Sequence, residues 1–359
     1  MKVNRFCWLI LLVVATVQVL SAQGVATFTD KFGRFYVFDK GRIEALEPRP
    51  VNNLQMGGDY LLYTDALNQI IYYGNGKKQI LNYMPQMNLY QATRYYLLSL
   101  EGGVLRIIAN EKKRDLALGV NTTYALGDSI VAFVDFDRFL KVFYNNELYE
   151  ATNEPVREFR ANDNTITYLT EGENFYIIYQ NQTTLIDNAP PNEYKTGNNF
   201  VAFLNRFNEL YVYDDGGIEQ LETVKPQSYK SGDNILAYVS NLNGFNVYWQ
   251  GKTRELLPVP PRSYEIFDNT LMYIDERGFL NVFYNGKNQV VTTFTPPAVK
   301  MFDGVVAYTD FDNRLYAFYE GKKVTVSDQI VENFEVQGKV IMYYILNGEA
   351  RFYYNGENY

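Results

Sequence analysis

The chain has 359 residues, 47% hydrophobic and 16% aromatic, with 33 basic and 41 acidic residues and no histidine. The acidic balance disfavours nucleic acid or an anionic membrane as main partner, because both attract basic surfaces. The lack of histidine removes the commonest general base and metal ligand.

At the N-terminus, Lys2 and Arg5 precede an apolar run from Phe6 to Leu20, followed by the small residues Ser21 and Ala22. This is the layout of a secretory signal peptide, with cleavage expected after Ala22; an uncleaved N-terminal anchor is the alternative. The only cysteine, Cys7, lies inside this segment. Residues 23–359 then form a single domain with no thiol or disulfide, held by its core alone. Without Lys2 and Arg5 the basic residues fall to 31 against 41 acidic ones, a net charge of −10. Export to the periplasm or the cell exterior is the expectation.

From there the chain repeats every 35 residues without insertion or deletion. Phe28, Tyr63, Leu98, Phe133, Tyr168, Phe203, Tyr238, Tyr273, Tyr308 and Tyr343 occupy one equivalent position. Such a period marks a repeat architecture. Seven and nine residues after that position, two columns are wholly apolar or aromatic, for instance Phe35 with Val37 and Phe245 with Val247. The next residue is mostly Phe or Tyr, as in Phe38 and Phe283. A strand apolar on both faces is sandwiched between neighbours.

The punctuation of each unit is equally regular. Between its first two strands lies a D-x-x-[GN] turn, as in Asp30 to Gly33 and Asp310 to Asn313. After the second strand comes Asn-Gly or a relative, such as Asn75-Gly76 and Asn285-Gly286, a strong hairpin signal. A third strand follows, then a proline-bearing link such as Pro190-Pro191 or Pro296-Pro297, which cannot sit inside a ladder. A short fourth strand led by Tyr194, Tyr229 or Tyr264 ends in a tight turn such as Gly232-Asp233-Asn234.

The expected fold is all-β: a β-propeller of small four-stranded antiparallel blades, about eight to ten of them. A β-solenoid is the alternative, but its parallel coils need no hairpin in every repeat. Because the chain starts and ends within a unit, at least one blade is expected to be completed from both termini. The D-x-x-G turns and aromatic strands resemble those of secreted β-propeller repeat proteins in general, across the whole mature chain.

Candidate chemistry is sparse. The aspartates of the first turn, among them Asp30, Asp65, Asp135, Asp275 and Asp310, read better as turn caps than as calcium ligands. The aromatic column of Tyr144, Trp249, Tyr284 and Tyr319 ends the second strand of its units and offers faces for stacking on sugars; interblade packing is the competing reading. Carboxylates weighed as catalytic pairs, Glu171, Glu173, Asp214, Asp215, Glu276 and Asp303, show no spacing that selects an acid and its partner. The third unit carries a basic run, Lys112-Lys113-Arg114 after Glu111. Asn121 and Asn181 start acceptor patterns for glycosylation. No catalytic, cofactor-binding or metal-binding residue is singled out. The reading that follows is an exported, non-enzymatic binding or scaffolding module for a glycan or protein. A carbohydrate-active enzyme and a structural surface component are the alternatives.

Overall fold

The computed structural model describes residues 24–58, 60–82, 88–109, 112–118, 123–134, 136–302 and 304–359. The expected leader, Glu111, Asn121, Asp135 and Asp303 lie outside them. No helix among the described residues is long and apolar enough to cross a membrane. Among the described residues all regular structure is antiparallel β, in ten small sheets that follow the repeat, the last two joined by one continuous strand.

The seventh sheet is typical. Its inner strand Ser228–Ser231 pairs with Ile235–Val239, which pairs with Phe245–Trp249, which pairs with the outer strand Lys252–Leu257. Side chains alternate across it. Ile235, Ala237, Phe245 and Val247 pack on the eighth sheet, whereas Leu236, Tyr238 and Tyr248 pack on the sixth. This period of two explains why both faces of the central strands are apolar.

Among the described residues the core is divided into ten clusters, each shared by two successive sheets. The tenth joins Ala26 and Phe38 of the first sheet to Val340, Met342, Phe352 and Tyr354 of the last. Phe38 and Phe352 stack there with ring centres 4.6 Å apart. The sheets therefore close into a ring of ten blades, numbered here in chain order, at the upper limit of the expected range.

Closure differs from the expectation. The described residues of blade 1 supply three strands, Val25–Thr29, Phe35–Asp39 and Arg42–Glu47, and those of blade 10 supply all four of their own. Asn355 and Gly356, both at positive φ, turn the chain after Ala350–Tyr354 and add the short outer strand Glu357–Asn358. Instead of a shared sheet, the Gln337 side-chain amide meets the first strand. It accepts from the Thr27 backbone N–H at 2.8 Å and donates to the Thr27 carbonyl at 3.1 Å. A side-chain amide thus satisfies backbone groups that a further strand would satisfy.

Two links, the third and the ninth, depart from the pattern in carrying no proline. The ninth lacks proline, so its backbone N–H groups remain available, and Lys322–Gln337 runs continuously from the outer strand of blade 9 into the inner strand of blade 10. Val331 donates its N–H to Asn313 on the way.

Candidate functional site

The alternation of antiparallel strands gives the ring two unlike faces. Turns from second to third strand and the links between blades emerge on the upper face. Turns from inner to second strand and the hairpins from third to outer strand emerge on the lower face.

The inner strands surround the axis. Near its lower end is a cavity of about 740 Å³, bordered by Gln55, Arg94, Tyr124, Asn162 and the turn aspartates Asp128, Asp163, Asp233 and Asp268. The four aspartates hold one position of the repeat, five residues before Phe133, Tyr168, Tyr238 and Tyr273. The glycine before two of them explains their placement. Gly127 and Gly232 sit where a Cβ would stand 2.3 and 1.8 Å from the carbonyl oxygens of Asp163 and Asp268, each on the following blade. Gly197 and Gly57 are pressed in the same way by the carbonyls of Asp233 and Thr93. The turns are thereby linked edge to edge: Ser129 donates its N–H to Asp163 at 3.0 Å, Asn198 to Asp233 at 2.8 Å and Asp233 to Asp268 at 2.9 Å.

The same crowding gathers charge. The Asn162 amide donates to Asp233 at 2.9 Å from two blades away. Burial pushes the Asp163 carboxyl up to about 6, with the neighbouring charges of Asp233 and Asp128 adding to it. Burial also raises Asp128, partly opposed by the backbone N–H and charge of Arg94. A second cavity of about 430 Å³ adjoins the first, sharing Arg94, Asp128 and Asp268. It is edged by Met56, Val336 and the aromatic pair Phe267 and Phe302, whose ring centres are 4.4 Å apart. The axis therefore offers a carboxylate- and amide-rich lobe beside an aromatic one. Four carboxylates face one arginine, an arrangement suited to ligands bearing hydroxyl or amine groups.

The aromatic column read from the sequence lies elsewhere and is spread over four junctions. The Trp249 ring is 6.2 Å from that of Phe283 and lies against Gly286 on the next blade. Tyr284 meets Phe318 at 5.9 Å. Tyr319 is buried, 5.5 Å from Tyr353, and its hydroxyl donates to the Lys339 carbonyl at 3.0 Å. Tyr144 is half-buried in the core between blades 4 and 5. Each ring bridges its blade to the next, and the structure does not bring the four into one site.

The other candidates are likewise dispersed. Glu171 pairs with Arg138 at 2.5 Å on the upper face. Asp214 accepts from the Tyr248 hydroxyl at 3.2 Å on the lower face. Lys112, Lys113 and Arg114 are exposed, and Arg114 reaches the Asn146 carbonyl on blade 4. Among the described residues no group of three or more acidic, histidine or cysteine side chains is placed to hold a metal ion. The turn aspartates act as caps. Asp30 Oδ1 accepts the N–H groups of Phe32 and Arg34, each at 2.9 Å, and Asp65 does the same for Leu67 and Gln69.

Sequence reasoning missed the axial aspartates because the Gly-Asp-Asn segment served it only as a turn. Their recurrence at 35-residue intervals was the available signal. The tips of the upper turns were also passed over. Phe32, Leu67, Phe136, Phe207, Leu242, Phe311 and Leu346 are 63–87% exposed.

A family model described as a 10-bladed beta propeller domain matches residues 19–359. None of the curated proteins matches the sequence. Similar solved structures include the computationally designed Ika8 protein, at 14% identity over 75% of this chain and 96% of that one, with a TM-score of 0.36. PorZ of Porphyromonas gingivalis, described as an essential bacterial surface component of the type-IX secretion system, is 11% identical over 91% of this chain and 56% of its own, with a TM-score of 0.32. BamB from Moraxella catarrhalis is 9% identical over 74% of this chain and 93% of its own, with a TM-score of 0.29.

Proposed function

Because the chain belongs to the 10-bladed beta-propeller domain family, we propose that it is an exported, non-enzymatic binding or scaffolding module for a glycan or protein, with its ligand seated at the axis. The observation that carries this reading is the cavity of about 740 Å³ rimmed by Asp128, Asp163, Asp233 and Asp268. Its volume suits a small ligand or the end of a larger one. Carboxylates and amides accept hydrogen bonds from sugar hydroxyls, and Phe267 with Phe302 offers an apolar platform beside them. Neutral and amine-bearing sugars fit this field, whereas uronic acids are repelled by it. A lysine side chain of a protein partner would use the same carboxylates. The half-exposed rings of Tyr144, Trp249 and Tyr284 are proposed as outer contacts for an extended glycan. Export rests on the leader pattern of residues 1–22.

The test is calorimetric titration with neutral, amino-bearing and uronic oligosaccharides against the unsubstituted protein, Asp163→Asn and Asp233→Asn. Amine-bearing ligands should bind best and tighten as pH rises through about 6, where Asp163 ionises. Each substitution should weaken them about tenfold, the loss expected for one charge-assisted hydrogen bond. Binding that ignores both substitutions would remove the axial site.

A carbohydrate-active enzyme is a second reading, favoured by the Asp163 carboxyl, which burial and the neighbouring charges of Asp233 and Asp128 raise toward the range of a general acid. Release of reducing ends or unsaturated products, lost in Asp163→Asn, would select it over binding alone.

A further inference from the structure

The upper face carries a feature that neither the fold nor the axial site uses. Seven of the ten turns from second to third strand end in an exposed phenylalanine or leucine. The turn itself asks for no such residue. It is built by the capping side chain and by a residue at positive φ, as with Asp30 and Gly33 or Asn205 and Asn208. Blade 8 provides the control. Asp275 makes the same two backbone bonds there, to Arg277 and Phe279, and an arginine stands at the tip. A charged tip therefore suits the turn, and exposed apolar tips in most other blades point to something outside the chain.

We propose that the upper face docks on a neutral phospholipid surface, with the tips entering the boundary between headgroups and acyl chains. The tips lie in the same turn of blades 1, 2, 4, 6, 7, 9 and 10, at its third residue in blades 1, 2, 6 and 7 and at its second in blades 4, 9 and 10. A flat, featureless surface can receive all of them at once, whereas a protein partner would need a separate pocket for each. Cations lie beside the rings: Lys31 Nζ is 5.3 Å and the Arg34 guanidinium 5.4 Å from the Phe32 ring centre, and the Arg206 guanidinium is 4.8 Å from that of Phe207. A ring entering the lipid boundary brings such groups to the level of the phosphates. Ion pairs within and between these turns offset much of their charge, as with Arg34 and Asp30 at 2.7 Å and Lys141 and Asp137 at 2.8 Å. The net acidity of the chain selects zwitterionic over anionic lipid. This surface is independent of the axial ligand.

The test uses the full chain with phosphatidylcholine vesicles, and with vesicles enriched in phosphatidylglycerol as comparison. The unsubstituted chain and a Phe32→Ser, Phe207→Ser, Leu242→Ser variant share the same N-terminal segment, so their difference reads the tips. Flotation with phosphatidylcholine vesicles should fall at least tenfold in the variant, with circular dichroism and melting temperature unchanged. In a Cys7→Ser chain, an environment-sensitive fluorophore on Leu242→Cys should shift to the blue with vesicles, and one on Lys322→Cys, on the lower face, should not. Absence of flotation, equal flotation of both chains, a stronger response to phosphatidylglycerol, or a Leu242→Cys fluorophore that stays in water would each overturn the proposal. A blue shift that appears with rising protein concentration and no lipid would assign the face to a second copy of the chain.

Discussion

At the scale of single residues, Asp163 shows how position decides chemistry. Its equivalents in other repeats include the asparagine Asn198 and the glycines Gly58 and Gly338, so the turn does not require an acid. Burial beside Asp233 and Asp128 holds its carboxyl up to about 6. A raised carboxylate binds its proton more tightly in the folded than in the unfolded chain. Its stabilising contribution is therefore complete below the ordinary value near 3.8 and is lost as pH rises through about 6. Asp163→Asn should match the unsubstituted protein in melting temperature at pH 4 and exceed it by about 1–3 °C at pH 7, on the usual conversion of stability to temperature. Scanning calorimetry at the two values checks this; an advantage equal at both would show that ionisation is not its source. Trp249 makes the opposite case. The only tryptophan after Trp8, it is half-buried with its ring against Gly286 and Phe283 on the next blade, outside the axial cavity.

The elements were largely legible. Apolar columns of period two, Asn-Gly hairpins and proline links mark the strands because those features follow from local backbone chemistry. The apolar columns seen at Phe35 with Val37 and at Phe245 with Val247 are core residues in the structure. The site was less legible because it is made by turns of different blades meeting at the axis. Nothing local in Gly232-Asp233 says that the Asp268 carbonyl occupies the place of a Cβ. The tenth blade was misjudged for a related reason: Asn355-Gly356 gave a hairpin signal, but only two residues remained beyond it to form the outer strand before Tyr359. The contact between turns gives a sharp prediction. Gly232→Ala places a methyl 1.8 Å from a backbone oxygen and should cost about 3 kcal/mol, as for an overpacked core position. Gly216→Ala, with φ of 88° but nothing within 4 Å, should cost about 1 kcal/mol through backbone strain alone. Denaturant unfolding of the two variants checks the order, and equal losses would contradict the steric account.

Across the whole molecule, ten junctions share the core, and each blade depends chiefly on two neighbours. Nine junctions join blades consecutive in the chain. The tenth joins blades 10 and 1 through packing and the Gln337 amide. Gln337→Leu keeps the approximate volume but leaves the Thr27 N–H and carbonyl without that partner, a loss of about 1–3 kcal/mol. Hydrogen exchange should then accelerate first in Val25–Thr29, Phe35–Asp39 and Val340–Ile345. Acceleration spread evenly over all blades would contradict a local role.

That junction also sets a clock. A closed ring has no free end from which blades can peel, and the other nine junctions are each crossed by the chain itself. Separation of blade 1 from blade 10 creates two ends at once, and the remaining blades can then detach one neighbour at a time, as in a linear array. The half-life of the native ring, as distinct from its equilibrium stability, is governed by how often this one pair of blades parts.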